Sequence, residues 1–191
     1  MPPLVLASTS RYRAQLLARL GLPFESVRPE VDERPLPGEP PATLALRLAA
    51  AKAGAVAAAR PDALVLGSDQ VASCDGRILG KPGNRDAAIA QLQRMSGREA
   101  VFLTAVALAR AGEPVEQALD TTTVRVRHLS ADEIVRYVDA ESPLDCAGSF
   151  KSEGLGITLF ESIESRDPTA LVGLPLIATV RLLRARGVAL P

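Results

Sequence analysis

The sequence predicts an α/β fold, a mixed twisted sheet flanked by helices. Three observations carry that prediction. Short apolar runs of strand character alternate with helical patterns along the chain. Capping residues and glycines mark where helices start and stop. One connection, Cys74-Asp75-Gly76-Arg77, is a tight turn of hairpin type, so the order departs from strict βαβ repetition. The 191 residues fit one domain with a substantial core, and no repeat or long linker divides them.

The elements follow in order. Leu4-Val5-Leu6-Ala7 reads as a first strand, and Ser8-Thr9-Ser10 as a hydroxyl-rich turn. The next helix has Leu16, Leu17 and Leu20 on its face and Gly21 as its stop. Phe24 to Arg28 reads as a second strand, with Glu30, Asp32 and Glu33 close behind. Four prolines between Arg34 and Pro41 mark a loop. Thr43 to Arg60 is an alanine-rich helix in which Leu44, Leu48 and Lys52 are spaced by four. Lys52 therefore continues an apolar stripe, and its ammonium either reaches water or points into a cleft.

Ala63 to Leu66 is a short apolar run, consistent with a buried strand that ends at Gly67-Ser68-Asp69-Gln70. The hairpin turn then leads into Ile78-Leu79-Gly80-Lys81-Pro82. Asn84 caps a helix carrying Ala88, Ile89, Leu92 and Met95, and Gly97 ends it. Ala100 to Leu108 and Ala118 to Arg127 read as strands. Ser130-Ala-Asp-Glu133 is a capping box opening the helix through Tyr137 and Val138. His128, just before it, reads as a strand-end residue without a catalytic partner. Pro143 to Gly156 is a loop of small residues around Lys151 and Glu153, and Ile157 to Phe160 reads as a returning strand. Ser165 to Thr169 turns, Pro175 opens a last helix with Leu176, Ile177, Val180 and Leu183, and Gly187 stops it.

Composition excludes several function classes. With 22 basic and 22 acidic residues the formal charge is zero, so no broad footprint for nucleic acid is expected. No run of eighteen apolar residues suggests a membrane span, and the start lacks the basic region of a signal peptide. Cys74 and Cys146 form neither a disulfide framework nor a CxxC pair, so a cytoplasmic location is expected. No GxxxxGK[ST] loop and no Gly-x-Ser-x-Gly elbow is present, and a lone His lacks the partners for a Ser-His-Asp or zinc site.

What remains is phosphate chemistry. Of 22 basic residues only Lys52, Lys81 and Lys151 are lysines, two of them in glycine- and proline-rich loops. A strand, a hydroxyl turn and a helix start carrying Arg11 and Arg13 make a candidate anion site, with a plain Ser N-cap as the alternative. Glu30, Asp32 and Glu33 either hold a divalent ion or form a solvated acidic turn. Asp69, at the end of a buried strand beside a permissive glycine, either carries chemistry or makes a turn. Together these groups suit a polyphosphate and a divalent cation, Mg²⁺ or Mn²⁺.

Five motifs in collinear order resemble the Maf family of nucleoside triphosphate pyrophosphatases. They are Ala7-Ser8-Thr9-Ser10-x-x-Arg13, Glu30-Val31-Asp32-Glu33, Gly67-Ser68-Asp69-Gln70-Val71, Gly80-Lys81-Pro82 and Ala147-Gly148-Ser149-Phe150-Lys151-Ser152-Glu153-Gly154. Leu171-Val172-Gly173-Leu174-Pro175 extends the likeness toward the end. The resemblance implies an inosine-triphosphate pyrophosphatase-like fold of two lobes with a central cleft, spanning residues 1–191 as a single Maf-like domain. It implies hydrolysis of the α–β phosphate bond, with a divalent metal. Asp69 would be the proton acceptor, with Glu33 and Lys81 also catalytic. Ser8, Arg13 and Lys52 would bind phosphates, and Glu33 and Asp69 would hold the metal. Gly-Ser-Asp-Gln and Phe150-Lys-Ser-Glu-Gly154 resemble the subgroup acting on 7-methyl-GTP, with Tyr12, Gln70 and Glu153 setting base choice. The neighbouring subgroup, acting on dTTP and UTP, tends to read Gly-Ala-Asp-Thr. A nucleotide-binding regulator of septum formation without turnover is the reading of another class. The family also implies a homodimer.

Overall fold

The computed structural model describes residues 2–191. Seven strands form one mixed sheet: β1 Leu4–Ala7, β2 Glu25–Val27, β3 Leu64–Cys74, β4 Arg77–Leu79, β5 Glu99–Ala109, β6 Glu116–Val126 and β7 Phe160–Glu164. Their order is β2-β1-β3-β5-β6-β7, with β4 paired to β3. β1 runs parallel to both β2 and β3, whereas β3–β4 and β6–β7 are antiparallel. Five helices accompany the sheet: α1 Arg11–Ala18, α2 Pro41–Ala59, α3 Arg85–Met95, α4 Ala131–Glu141 and α5 Leu176–Ala185. The mixed α/β prediction therefore holds.

The chain divides into two compact units. One comprises the chain up to Gln70, Thr104–Asp120 and Asp167–Pro191. Its core gathers Leu4 and Leu6 of β1, Leu16 and Leu17 of α1, Leu64 and Leu66 of β3, and Leu182 and Leu183 of α5. The other comprises Val71–Leu103 and Thr121–Arg166. There the Phe150 ring packs edge-on against both Phe102 and Phe160, at centroid distances of 5.2 and 4.7 Å.

Local signals set most boundaries. Asn84 accepts from the Ala87 N–H at 2.9 Å and starts α3. Ser130 and Glu133 make the reciprocal capping box of α4. The hairpin turn has Asp75 and Gly76 at φ 49° and 72°, the geometry favoured between twisted strands. Exposed His128 lies just beyond β6, as expected of a strand-end residue. By length and composition α2 could cross a bilayer, but Leu44, Leu48, Ala49 and Ala53 are buried within the unit, which makes it a core helix.

Two expectations are corrected. The strand expected to end at Gly67-Ser68-Asp69-Gln70 continues to Cys74, so Asp69 sits in mid-strand. Burial continues through Ser68 and Asp69 to Val71, Ala72 and Cys74, and the end of the strand pairs with β4. The stretch expected as a strand at Ile157 to Phe160 is instead a 3-10 turn, Leu155–Leu159, and pairing with β6 begins only at Phe160. The backbone around Gly154 and Gly156 bends too tightly for extended structure there: a Cβ on Gly156 would lie 2.3 Å from the Lys151 carbonyl oxygen.

Candidate functional site

The first unit assembles its site at the carboxyl end of β1. Register Ala7↔Gly67 sets Ser8 beside Ser68 and Asp69 of β3. β1 ends here and its chain crosses to β2, while its neighbour β3 continues past the site to Cys74.

Gly67 lets the essential contact form. A Cβ there would lie 2.3 Å from the Ala49 carbonyl oxygen and 2.6 Å from the Ala53 nitrogen, so only glycine lets α2 lie this close to β3. One residue in two along a strand faces the same way, so Asp69 points to the α2 side with Gly67. One helical turn from Leu48, Lys52 meets it there. Its Nζ lies 2.7 Å from Asp69 Oδ1 and 2.9 Å from Glu33 Oε1. Lys52 and Asp69 are 5% and 7% exposed, so this is a buried ion pair, while the Glu33 side chain is 60% exposed. The lysine at the end of the apolar stripe thus turns to a buried carboxylate and not to water.

Arg13 lies near the same carboxylates. Its Nε donates to the Gly173 carbonyl at 2.9 Å, and Nη1 lies 3.5 Å from Ser8 Oγ. Burial pushes the Arg13 guanidinium below its ordinary value, and the Asp69 and Glu33 carboxylates pull it back up. Ser10 caps α1, accepting from the Arg13 N–H at 3.4 Å, and Ser8 Oγ accepts from the Ser10 N–H at 3.1 Å. Cap and cation cluster therefore coexist. Ser8, Arg13, Lys52, Asp69 and Glu33 come together as two cations, two carboxylates and a hydroxyl.

The acidic cluster is split. Asp32 is engaged by Arg34, whose Nη2 lies 2.6 Å from Oδ2 and holds the carboxyl down at about 2. Glu30 is exposed and 3.9 Å from Arg28. Among the described residues no three His, Cys, Asp or Glu side chains gather as a metal cluster. Of the three, only Glu33 joins Asp69.

The residues expected to set base choice differ in setting. Tyr12 is half-buried, with the Arg11 guanidinium 4.8 Å above its ring and bonded to its hydroxyl. Gln70 is engaged inward: Nε2 lies 3.0 Å from Thr104 Oγ1, the Ala170 carbonyl and the Leu171 carbonyl. Glu153 belongs to the second unit and is exposed, with Ser152 Oγ 3.4 Å from its carboxylate. Lys81, also in the second unit, is exposed in the loop between β4 and α3. Lys151, nearby in sequence to Glu153, has a structural role: its Nζ donates to the Glu141 carbonyl at 3.0 Å.

Several participants escaped the sequence reading. Ser68 and Thr104 are fully buried hydroxyls, and Asp167 is a buried carboxylate. The signals were present: Ser68 and Gln70 flank Asp69 at strand spacing, and Gly173 stands before Leu-Pro.

A family model described as Maf-like protein matches residues 3–186. The 7-methyl-GTP pyrophosphatase of Xanthomonas campestris pv. campestris (strain 8004) is 62% identical over 191 residues, covering all of both chains. The 7-methyl-GTP pyrophosphatase of Aromatoleum aromaticum is 63% identical over 190 residues, covering 98% of this chain and 97% of its own. Among solved structures, the Ham1 protein of Staphylococcus aureus superposes with a TM-score of 0.51 at 16% identity, over 96% of this chain and 97% of its own. A HAM1 protein from Coxiella burnetii also gives 0.51 at 16% identity, over 99% of this chain and 100% of its own. These two share the fold. With the family match and full-length relatives above 60% identity, the chain belongs to the Maf family.

Proposed function

We propose that this protein hydrolyses 7-methyl-GTP at its α–β phosphate bond, giving 7-methyl-GMP and pyrophosphate. The observation that carries the reaction is the buried Lys52 ammonium between the Asp69 and Glu33 carboxylates. The substrate is supported by the names of full-length relatives at 62–63% identity. As a nucleotide pyrophosphatase it acts on a small molecule.

In this reading Asp69 takes a proton from water. The water oxygen bonds to the α-phosphorus, the bond from that phosphorus to the bridging oxygen breaks, and pyrophosphate leaves with the electron pair. Lys52 and Arg13 face the charge that develops on the phosphoryl oxygens, and Ser8 Oγ adds a hydroxyl. Fixed cations in a buried site act without reorganising during the reaction, usually the largest catalytic contribution. Lys52 also fixes the Asp69 carboxylate, so the base is held in one orientation. Lys81 is assigned to phosphate on the strength of the family motif.

A divalent cation fits the donor set. Mg²⁺ commonly binds through one or two carboxylates, with substrate phosphates and waters completing its shell, and Glu33 and Asp69, which both contact the Lys52 ammonium, are the two carboxylates that would hold it. When bound, the ion would neutralise phosphate charge and polarise a phosphoryl oxygen. For the base, the Tyr12 ring offers a face to the positively charged 7-methylguanine, a place now shared with Arg11. Glu153 offers an acceptor for N1–H and the exocyclic amine.

The test is pyrophosphate release from 7-methyl-GTP, GTP, dTTP and UTP with Mg²⁺ or Mn²⁺, run also in heavy-oxygen water. The expected result is preference for 7-methyl-GTP, with the heavy label in 7-methyl-GMP. Preference for dTTP or UTP would overturn the substrate. Label in pyrophosphate would overturn attack at the α-phosphorus.

A further inference from the structure

We propose that Ser68 and Gln70 are positioning residues: with Thr104 they fasten the segment Thr169 to Leu174, so that the Gly173 carbonyl holds Arg13 ready for substrate phosphate. The proposal rests on the phosphate-binding reading of Arg13. It gives Gln70 a different task from reading the base.

Strand alternation divides the motif. Gly67 and Asp69 face α2, so Ser68 and Gln70 face the other way, and there both meet the same segment. Ser68 Oγ, fully buried, lies 2.8 Å from the Ala105 carbonyl and 3.0 Å from the Gly173 carbonyl, so its one proton is shared between them. The Gln70 amide orientation follows from its partners. The Ala170 and Leu171 carbonyls can only accept, and Thr104 Oγ1 gives its proton to the Ala170 carbonyl at 2.9 Å. The nitrogen must therefore face all three, and its two N–H donors are engaged inside the protein.

The segment is built to hold a fixed shape. Val172 N–H donates to the Thr169 carbonyl at 3.2 Å, and Gly173 N–H to the Ala170 carbonyl at 2.9 Å. Gly173 has φ 128°, a conformation other residues rarely adopt, and it aims this carbonyl at Arg13. The segment is also tied to the start of α5. Asp167 accepts from the Thr169 N–H at 2.9 Å and the Ile177 N–H at 2.6 Å, and Thr169 Oγ1 accepts from the Leu176 N–H at 2.9 Å. These side chains do what Pro175, which makes no side-chain cap, cannot. One carbonyl, Gly173, thus receives both Ser68 Oγ and Arg13 Nε, so freedom gained at the segment passes directly to the guanidinium.

The experiment compares Ser68→Ala and Gln70→Met with the parent, alone and in an Arg13→Ala background. Gln70→Met keeps the side-chain volume at a partly exposed position and decides the matter should the fully buried Ser68→Ala fail to fold. Three quantities are read: amide hydrogen exchange at Val172 and Gly173, pyrophosphate affinity by calorimetry, and kcat/KM for 7-methyl-GTP and UTP. Loss of a buried hydrogen bond should speed exchange at both amides by several-fold to about tenfold. Pyrophosphate affinity should fall several-fold in the parent background and not at all with Arg13→Ala, because the effect passes through that guanidinium. Both nucleotides should lose kcat/KM by the same factor. Unchanged exchange would overturn the fastening itself. A loss confined to 7-methyl-GTP would return Gln70 to base reading and overturn the proposal. Full pyrophosphate affinity in Arg13→Ala alone would overturn it through the reading of Arg13, a failure the exchange data keep distinct.

Discussion

Replacing Lys52 by Met removes the ammonium and keeps an apolar chain of similar length on the α2 stripe. The structure fixes how much this should cost. The Lys52 and Asp69 side chains are 6% and 11% exposed and 2.7 Å apart, so the variant leaves a carboxylate buried without its counter-ion. Removing one partner of such a pair costs about 3–5 kcal/mol. The Glu33 arm adds under ~1 kcal/mol, because that side chain is 60% exposed and screened. In a chain of this size 1 kcal/mol moves Tm by about 2–4 °C, so Lys52→Met should melt roughly 6–20 °C below the parent. Thermal unfolding followed by circular dichroism measures this. The variant Lys52→Met/Asp69→Asn removes the stranded charge as well and should melt above Lys52→Met alone. A Lys52→Met protein melting within ~3 °C of the parent would refute the claim that the pair is buried and mutually dependent.

Three further predictions test separate parts of the account. Gly67→Ala places a methyl against the Ala49 carbonyl and the Ala53 nitrogen, and should cost about 1–3 kcal/mol and lower kcat by displacing Lys52; a stable, fully active variant would show that the close approach of α2 is dispensable. Glu153→Gln should raise KM for 7-methyl-GTP and leave UTP unchanged, whereas equal losses on both would remove Glu153 from base recognition. The Glu133 carboxyl is held down at about 2, chiefly by the Ser130 N–H and then by Arg127. A carboxylate lowered by folding stabilises in full above its unfolded value near ~4.3 and loses that contribution as pH falls through the folded value. Urea unfolding should therefore show the deficit of Glu133→Gln shrinking from about pH 4.3 toward about 2, and a deficit independent of pH would contradict the assignment.

Much of the fold is local and was legible in the sequence. Asn84, Ser130 and Glu133 announce helix starts through side chain to backbone bonds spanning three residues, and the structure contains each of them. The spacing of Leu44, Leu48 and Lys52 already put Lys52 on the apolar stripe of α2, and the direction of its ammonium was decided by Asp69 across the packing contact. What escaped was long-range. β3 continues past Asp69 because neighbouring strands complete its ladder, and no pattern within Gly67-Ser68-Asp69-Gln70 announces them. Ser68 and Gln70 find their partners about a hundred residues away, at Ala170, Leu171 and Gly173. The acidic run before Arg34 reads as one cluster in sequence, yet Asp32 turns to Arg34 and Glu33 to Lys52, a choice made by where α2 packs.

The most direct test of the account is pyrophosphate release from 7-methyl-GTP by Asp69→Asn, paired with calorimetric binding of the same nucleotide. The substitution keeps the side-chain shape and removes the proton acceptor at the centre of the buried pair. Loss of a general base commonly costs about 10²–10⁴-fold in turnover, so the variant should bind 7-methyl-GTP and release pyrophosphate at least a hundredfold more slowly, as roughly expected. Parent-like release from a variant that binds normally would show that Asp69 is not the base, and the mechanism built on Lys52, Asp69 and Glu33 would fall with it.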